Sequence, residues 1–302
     1  MLPTTSTPFR IGTRASPLAL AQAEMAKAAL CAAHGWATDA VLLLPMLSSG
    51  DKDQSRPLAE IGGKALWTKE LERALIEGEI DIAVHSMKDV ETVRPNTFQI
   101  AAMLPRADVR DRLIGADSIL SLPLNALVGT SSPRRAAQLK ALRPDVRTKP
   151  IRGNVATRMA KVANGEFAAS LLAAAGLDRL GLADTGSAIA TDQMLPAASQ
   201  GAIGIDCLSA RVELTPLLDA INHTETFACV MAERAFLEAL SGNCHSPVAA
   251  LALVKDGSIW LSGQILSEDG SESVSSEGDD PVALAQQLLA QASPALKALF
   301  TL

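Results

Sequence analysis

The sequence predicts an α/β protein, two successive α/β domains followed by a small C-terminal α+β domain. Three observations carry that reading. Apolar, partly β-branched runs alternate with helix-period patterns from Phe9 to about residue 205, as expected for stacked βα units. Two of the handovers read Ser-Pro, at Ser16-Pro17 and Ser132-Pro133, an N-cap followed by the first helical position. After Thr224 the pattern changes to one long helix, a hairpin signal and a final helix.

The elements follow in order. Residues 9–13 (FRIGT) read as a strand, and a helix runs from Ser16-Pro17 to about His34. VLLLPML (41–47) and IDIAVHS (80–86) have the character of buried parallel strands. Between them, residues 68–79 form an amphipathic helix. FQIAAML (98–104) is a strand ending in a Pro-containing turn. The pattern restarts at ALVGTS (126–131), with a helix from Ser132-Pro133 to about Leu142. A short strand surrounds Lys149-Pro150-Ile151, Asn154 caps a helix ending near Gly165, and residues 168–174 form another strand. IGIDCL (203–208) is a late strand that can return to the first domain. The helix from Thr224 ends at Ser241-Gly242, with glycine expected at the left-handed position. Strands 248–254 and 258–264 flank Lys255-Asp256-Gly257, residues 267–280 form an exposed loop or edge, and the last helix follows Asp280-Pro281.

Composition excludes several classes. The 302 residues are 48% hydrophobic and 20% charged, which is a globular balance and too long a chain for one average domain. The longest uncharged apolar run, Phe167 to Leu177, falls short of the ~18 residues that suggest a membrane span. The first residues lack a basic region followed by an apolar stretch, so no signal peptide is expected. Cys31, Cys207, Cys229 and Cys244 form no C-x-x-C pair, so neither a zinc site nor a disulfide framework is expected, and a reducing cytoplasm fits. With no Tyr, three Trp and six Phe, base stacking has few platforms.

Charge is uneven. The net charge is −6, yet residues 106–158 hold nine Arg and two Lys against four Asp, a local +7. Three Arg-bearing segments stand where strands hand over to helices: Arg14-Ala15-Ser16-Pro17, Gly129 to Arg135, and Arg152-Gly153-Asn154 with Arg158 one turn on. Arg134 and Arg135 in a first helical turn oppose the helix dipole. The placement makes sense if an anion meets free N–H groups, hydroxyls and guanidinium forks there. The alternative is a set of solvated arginines. No phosphate-binding G-x-x-x-x-G-K-[ST] loop is present, and no His, Asp or Glu set has metal-ligand spacing.

Two further segments could carry chemistry. His85 to Val90 ends a strand with a Lys88-Asp89 pair, which fits a surface ion pair, an acid/base pair or a Schiff-base lysine. Ser241 to Pro247 places Cys244 beside His245 on a turn, unlike the other three cysteines, which lie in apolar patterns.

Together these segments resemble the porphobilinogen deaminase (hydroxymethylbilane synthase) family. The matching stretches are RIGTRASPLALAQA (10–23), residues 62–90 ending in HSMKDV, RADVRDRL (106–113), VGTSSPRRAAQL (128–139), residues 151–167 beginning IRGNV, AAAGLDRLGL (173–182), LPAASQGAIGID (195–206) and ERAFLEALSGNCHSPV (233–248). The resemblance implies two domains like periplasmic binding proteins with a cleft between them, plus a small third domain. The boundaries are 1–104 with 199–219, 105–198, and 220–302. It implies deamination and head-to-tail condensation of four porphobilinogen molecules into hydroxymethylbilane. It also implies a dipyrromethane cofactor joined by a thioether to Cys244. Asp89, with Lys88, matches the catalytic position. Arg14, Ser16, Lys64, Ser86, Arg110, Thr130, Ser131, Ser132, Arg134, Arg135, Arg152, Arg158 and Arg179 match binding positions. A monomer without metal, nucleic acid or membrane partner is expected.

The residues suit that chemistry. Each pyrrole of the substrate carries an acetate and a propionate, which arginine binds in bidentate fashion. A carboxylate among them can stabilise the cation left when ammonia departs. The sequence departs from the family pattern at Glu91, Ala168, Ser199, Asn243 and His245. Two other readings compete. A non-catalytic binding protein for a small polyanion leaves Asp89 and Cys244 without roles. Nucleic-acid binding through the +7 segment would show a steep salt dependence.

Overall fold

The computed structural model describes residues 3–47, 68–242 and 246–300. The chain divides into two compact units, Met1–Ala107 with Ala202–Phe227, and Asp108–Gly201 with Ala228–Leu302.

The first unit is built on strands β1 (Phe9–Arg14), β2 (Val41–Met46), β3 (Ile82–Ser86), β4 (Phe98–Met103) and β10 (Ile203–Leu208). Their order in the sheet is β2-β1-β3-β10-β4. β1 is parallel to β2 and β3, and the late strand β10 enters antiparallel between β3 and β4. Alternate residues face opposite sides, and both sides are covered. Ile82, Val84, Ile203 and Ile205 pack on Ala23, Ala26 and Leu30 of helix α1 (Pro17–His34), in one cluster with Leu218 of helix α6 (Thr215–Asp219). Ala83 and Phe98 pack on Leu71, Ala74 and Leu75 of helix α2 (Lys69–Ile76). Ser16 caps α1, its hydroxyl accepting from the Ala19 N–H at 3.3 Å, as the Ser-Pro pair predicts.

The second unit repeats the arrangement. Strands β5 (Asp111–Ile114), β6 (Leu127–Gly129), β7 (Arg147–Lys149), β8 (Ala169–Ala173) and β9 (Ser187–Ala188) stand in the order β7-β6-β8-β5-β9. β6 is parallel to β7 and β8, and β5 is antiparallel to β8. Leu113, Val128 and Leu171 pack with Leu139 of helix α3 (Pro133–Leu142). Ile114 and Leu172 meet Val155, Met159 and Val162 of helix α4 (Val155–Ala163) on the other face. Helix α5 (Ala174–Arg179) follows β8 directly.

The same unit contains the antiparallel sheet β11 (Val248–Lys255), β12 (Ser258–Leu266) and β13 (Ser273–Gly278). Asp256 and Gly257 turn the hairpin with φ of 51° and 79°, the two left-handed residues of a type I′ turn. The acidic stretch forms β13 at the sheet edge. Helices α7 (Thr224–Ala239) and α8 (Pro281–Gln291) bury Phe236, Leu284 and Leu288 against β11 and β12. Gln138 of α3 donates to Gln264 of β12 at 2.7 Å, and the Ala250 N–H donates to Pro196 O at 3.0 Å. Those bonds join this sheet to the α/β layer.

The end of α7 corrects one expectation. Ser241, with φ of 53°, takes the left-handed position rather than Gly242. The Ser241 N–H bonds to Glu238 O and the Gly242 N–H to Leu237 O, both at 2.8 Å, a Schellman closure shifted by one residue. Gly242 serves close packing instead, since a β-carbon there would stand 2.9 Å from Leu237 Cδ1.

Candidate active site

β1 and β3 are parallel neighbours, so Arg14 and Ser86 end at the same edge of the first sheet. Ligands of α/β sheets bind at such carboxyl ends. A single 3₁₀ turn, Met87–Asp89, follows β3 and carries Lys88 and Asp89. Arg14, Ser16, Ser86 and Asp89 line one cleft that opens to solvent. Two side chains that sequence reasoning did not assign join them, Gln22 and His85. Gln22 is 2% exposed, and its amide donates to Ser86 Oγ at 2.7 Å while accepting from it at 3.0 Å. The readable signal is a lone amide among Ala19, Ala23 and Ala26 on the buried stripe of α1.

The second unit brings its residues together at the ends of β6 and β7. Ser131 Oγ donates to Ile151 O at 2.8 Å and accepts from the Ile151 N–H at 3.1 Å, tying the Thr130–Ser132 loop to the one holding Arg152. Thr130 Oγ1 accepts from the Ser132 N–H, and Ser132 caps α3. Asn154 caps α4 by accepting from the Thr157 N–H at 2.9 Å. Arg158 reaches back to Gly153 O at 2.9 Å. Two helix N-termini therefore open from neighbouring strand ends, each with its donors partly satisfied by its own cap.

Arg134 and Arg135 turn inward. Both grip the fully buried Asp111 of β5, at 2.8 and 2.7 Å, one oxygen each. Arg134 also donates to Gln138 and to Leu195 O, Arg135 to Leu171 O, and Gln200 adds a bond to Asp111 at 2.8 Å. The arginines' conflict with the helix dipole is met by this internal carboxylate. Burial would push the Asp111 carboxyl up, but the two guanidinium charges and their hydrogen bonds outweigh it and hold the group well below the usual carboxylate range. The Nε atoms of Arg134 and Arg135 remain buried without an acceptor among the described residues.

Arg179 ends α5 and donates to Gly201 O at 2.6 Å, while its buried Nε also lacks an acceptor. Burial pulls its pKa down to about 10, which leaves it cationic at neutral pH. Arg110 stands at the surface in an ion pair with Asp108 at 2.7 Å. Lys64 and Cys244 lie outside the described residues. Orphaned guanidinium donors among hydroxyls and capped helix ends form a set that fits a carboxylate-bearing group. Among the described residues no group of three His, Cys, Asp or Glu side chains gathers where a metal could be held. No described helix is long and apolar enough to cross a membrane.

Comparison with known proteins places this geometry. Residues 9–215 match the family model for the porphobilinogen deaminase dipyrromethane cofactor binding domain, and residues 227–293 match that for the porphobilinogen deaminase C-terminal domain. The chain is 54% identical over 310 residues to the porphobilinogen deaminase of Sphingopyxis alaskensis, covering 99% of this chain and 98% of that one. It is 47% identical over 285 residues to that of Paracoccus denitrificans, covering 93% and 91%. Among solved structures, a TRAP periplasmic solute binding protein from Desulfovibrio salexigens aligns over 72% of each chain with 11% identity and a TM-score of 0.41. That last likeness is too slight to add to the sheet order described above. By the two domain models and the near full-length relatives, the chain belongs to the porphobilinogen deaminase family.

Proposed function

We propose that this chain deaminates porphobilinogen and joins four molecules head to tail into hydroxymethylbilane, releasing ammonia at each addition. The observation that carries the reading is the placement of Asp89 in one cleft with Arg14, Ser16 and Ser86, in a chain of this family. Asp89 stabilises the positive charge that appears on the substrate ring as ammonia leaves, and it accepts the ring protons lost after each new bond. Lys88 stands beside it as the second polar group of the turn. Arg14, Arg110, Arg134, Arg135, Arg152, Arg158 and Arg179, with Lys64, bind the acetate and propionate groups. Ser16, Ser86, Thr130, Ser131 and Ser132 add hydroxyl and loop N–H donors.

Cys244 would hold dipyrromethane through a thioether, and the bound group would supply the terminal pyrrole carbon from which the chain grows. The orphaned Nε donors of Arg134, Arg135 and Arg179 suit the carboxylates of such a group, because each is an N–H without an acceptor among the described residues. The reaction proceeds in the cytoplasm on a monomeric chain.

The intact mass of the purified protein tests the reading. We expect an excess equal to two linked pyrrole units, absent in Cys244→Ser and retained when Cys31, Cys207 or Cys229 is changed to Ser. An adduct mapped to another cysteine, or no adduct on an active enzyme, would overturn the assignment.

A further inference from the structure

Four ionisable side chains meet on the α2 face of the first sheet. Along β10, Ile203, Ile205 and Cys207 face α1, so Asp206 between them faces α2, fully buried. His85 of β3 lies on the same face, 8% exposed, with its Nε2 3.6 Å from Asp206 Oδ2, too far for a hydrogen bond. Glu72 comes from α2. Arg94 enters from the segment between β3 and β4. It stands 2.8 Å from Asp206, 2.5 Å from Glu72, and 5.1 Å above the Phe98 ring.

The contact to Asp206 is a charge contact without hydrogen-bond alignment, and neither Asp206 oxygen has a hydrogen-bond donor among the described residues. Its compensation is therefore electrostatic, and Arg94 supplies it. The position of Arg94 in the chain gives this cluster a role. The segment that leaves β3 at Ser86 makes the Met87–Asp89 turn and returns to β4 at Phe98. Its near end is fixed by the Met87 N–H bonded to Ala202 O at 3.1 Å. Its far end is fixed by Arg94.

We propose that Arg94 is a positioning residue for the reaction: its guanidinium, held between Asp206 and Glu72 and stacked over Phe98, secures the segment that carries Lys88 and Asp89. A second consequence concerns the cleft wall, which His85 shares with Asp89. The groups facing His85 are Asp206 from β10, Arg94 from the loop, Glu72 from α2 and Asp89 from the turn. Burial first, and then Arg94, keep the imidazole uncharged against the pull of the three carboxylates. Removing Arg94 leaves those carboxylates facing a histidine that gains by taking a proton. A cation then stands on the cleft wall beside Asp89.

This inference rests on Asp89 being the reacting carboxylate, and the test separates the two. Holoenzyme of Arg94→Met, Arg94→Lys and the double variant Arg94→Met/Asp206→Asn is assayed for porphobilinogen turnover across pH. The His85 titration is followed by NMR, assigned through His85→Gln. We expect Arg94→Met to lose about ten- to a hundredfold in kcat, the scale of a small misplacement, with little change in KM. Its His85 should titrate at a higher pH than in the wild type. Arg94→Lys should recover part of the rate, and the double variant should restore the low His85 titration. If Arg94→Met does not fold, Arg94→Gln, which also removes the charge, carries the same readings. Wild-type kcat in a single variant lacking the Arg94 charge would overturn the proposal, as would a rate loss in that single variant with no change in its His85 titration. An active Asp89→Asn would instead defeat the assignment of Asp89 and leave the NMR result standing.

Discussion

The Met87 side chain lies directly against Gly204 of β10, so that a β-carbon on Gly204 would overlap its sulfur. Met87 is fully buried and opens the turn that ends at Asp89. Gly204→Ala should therefore push the turn out of place. We expect a stability loss of about 1–3 kcal/mol, typical of overpacking, together with a marked fall in turnover. Gly263→Ala, in the separate sheet of β11 to β13, is the control, because its β-carbon would stand 2.6 Å from the helical Phe236 Cζ. It should lower the melting temperature with less effect on rate. Equal turnover in two equally stable variants would show that Met87 does not set the position of Asp89.

Asp89→Asn keeps the shape of the side chain and removes its charge. Melting should stay near normal while turnover falls by ~100-fold or more, the scale for losing one preorganised electrostatic stabiliser. Asp89→Glu keeps the charge and should retain more activity than Asn. Steady-state formation of the linear tetrapyrrole, measured beside thermal melts, decides the matter. An Asn variant within about tenfold of wild type would remove Asp89 from this role.

Asp111 ties Arg134 and Arg135 together beneath α3. Asp111→Ala leaves two buried guanidinium groups without their carboxylate, and we expect a loss of about 3–5 kcal/mol. The folded carboxyl titrates below its unfolded value, so its contribution is complete above the ordinary aspartate range near pH 4. It is lost as the pH falls from there toward the lower folded value. Denaturant titrations between pH 6 and pH 3 should show a steeper acid loss in the wild type than in Asp111→Asn.

Ser199 sits at φ of 64°, a left-handed conformation that suits glycine, and its N–H donates to the buried Glu233 at 2.6 Å. Ser199→Gly keeps that bond. It removes a strain of roughly 1–2 kcal/mol and adds unfolded-state entropy worth about 0.4–1 kcal/mol. A small rise in melting temperature should follow. Glu233→Gln tests the other side of the bond, since Glu233 also accepts from the Ala252 N–H at 2.8 Å. An amide presents a donor to one of the two N–H groups, and a loss of about 1–3 kcal/mol is expected.

Helix starts were legible because their chemistry is local. Ser16-Pro17, Ser132-Pro133 and Asp280-Pro281 each place a side-chain acceptor within three residues of the N–H it caps. Asp89 was legible as the end of a buried-type strand, and the cleft around it follows from Arg14 and Ser86 leaving parallel neighbours. The inward turn of Arg134 and Arg135 was not legible, because their partner Asp111 lies more than twenty residues upstream in a strand too short to show a period. Gln22 was visible as a polar break in an apolar stripe, but its partner Ser86 lies 64 residues away. Ser241 took the position expected of its glycine neighbour because the closing bonds count from Leu237 and Glu238, whose place in the last helical turn composition does not reveal.

The place of β10 has a bearing on how the chain is made. It lies inside the first sheet, between β3 and β4, yet it follows β4 in the sequence by about 100 residues. A ribosome adding about 5–20 residues per second leaves the facing edges of β3 and β4 bare for ~5–20 s. Each is an apolar strand with an unfilled row of backbone donors and acceptors, and the second unit's α/β layer emerges meanwhile. A nascent chain halted before residue 203 should therefore be a substrate for chaperones, and one released after residue 227 should not.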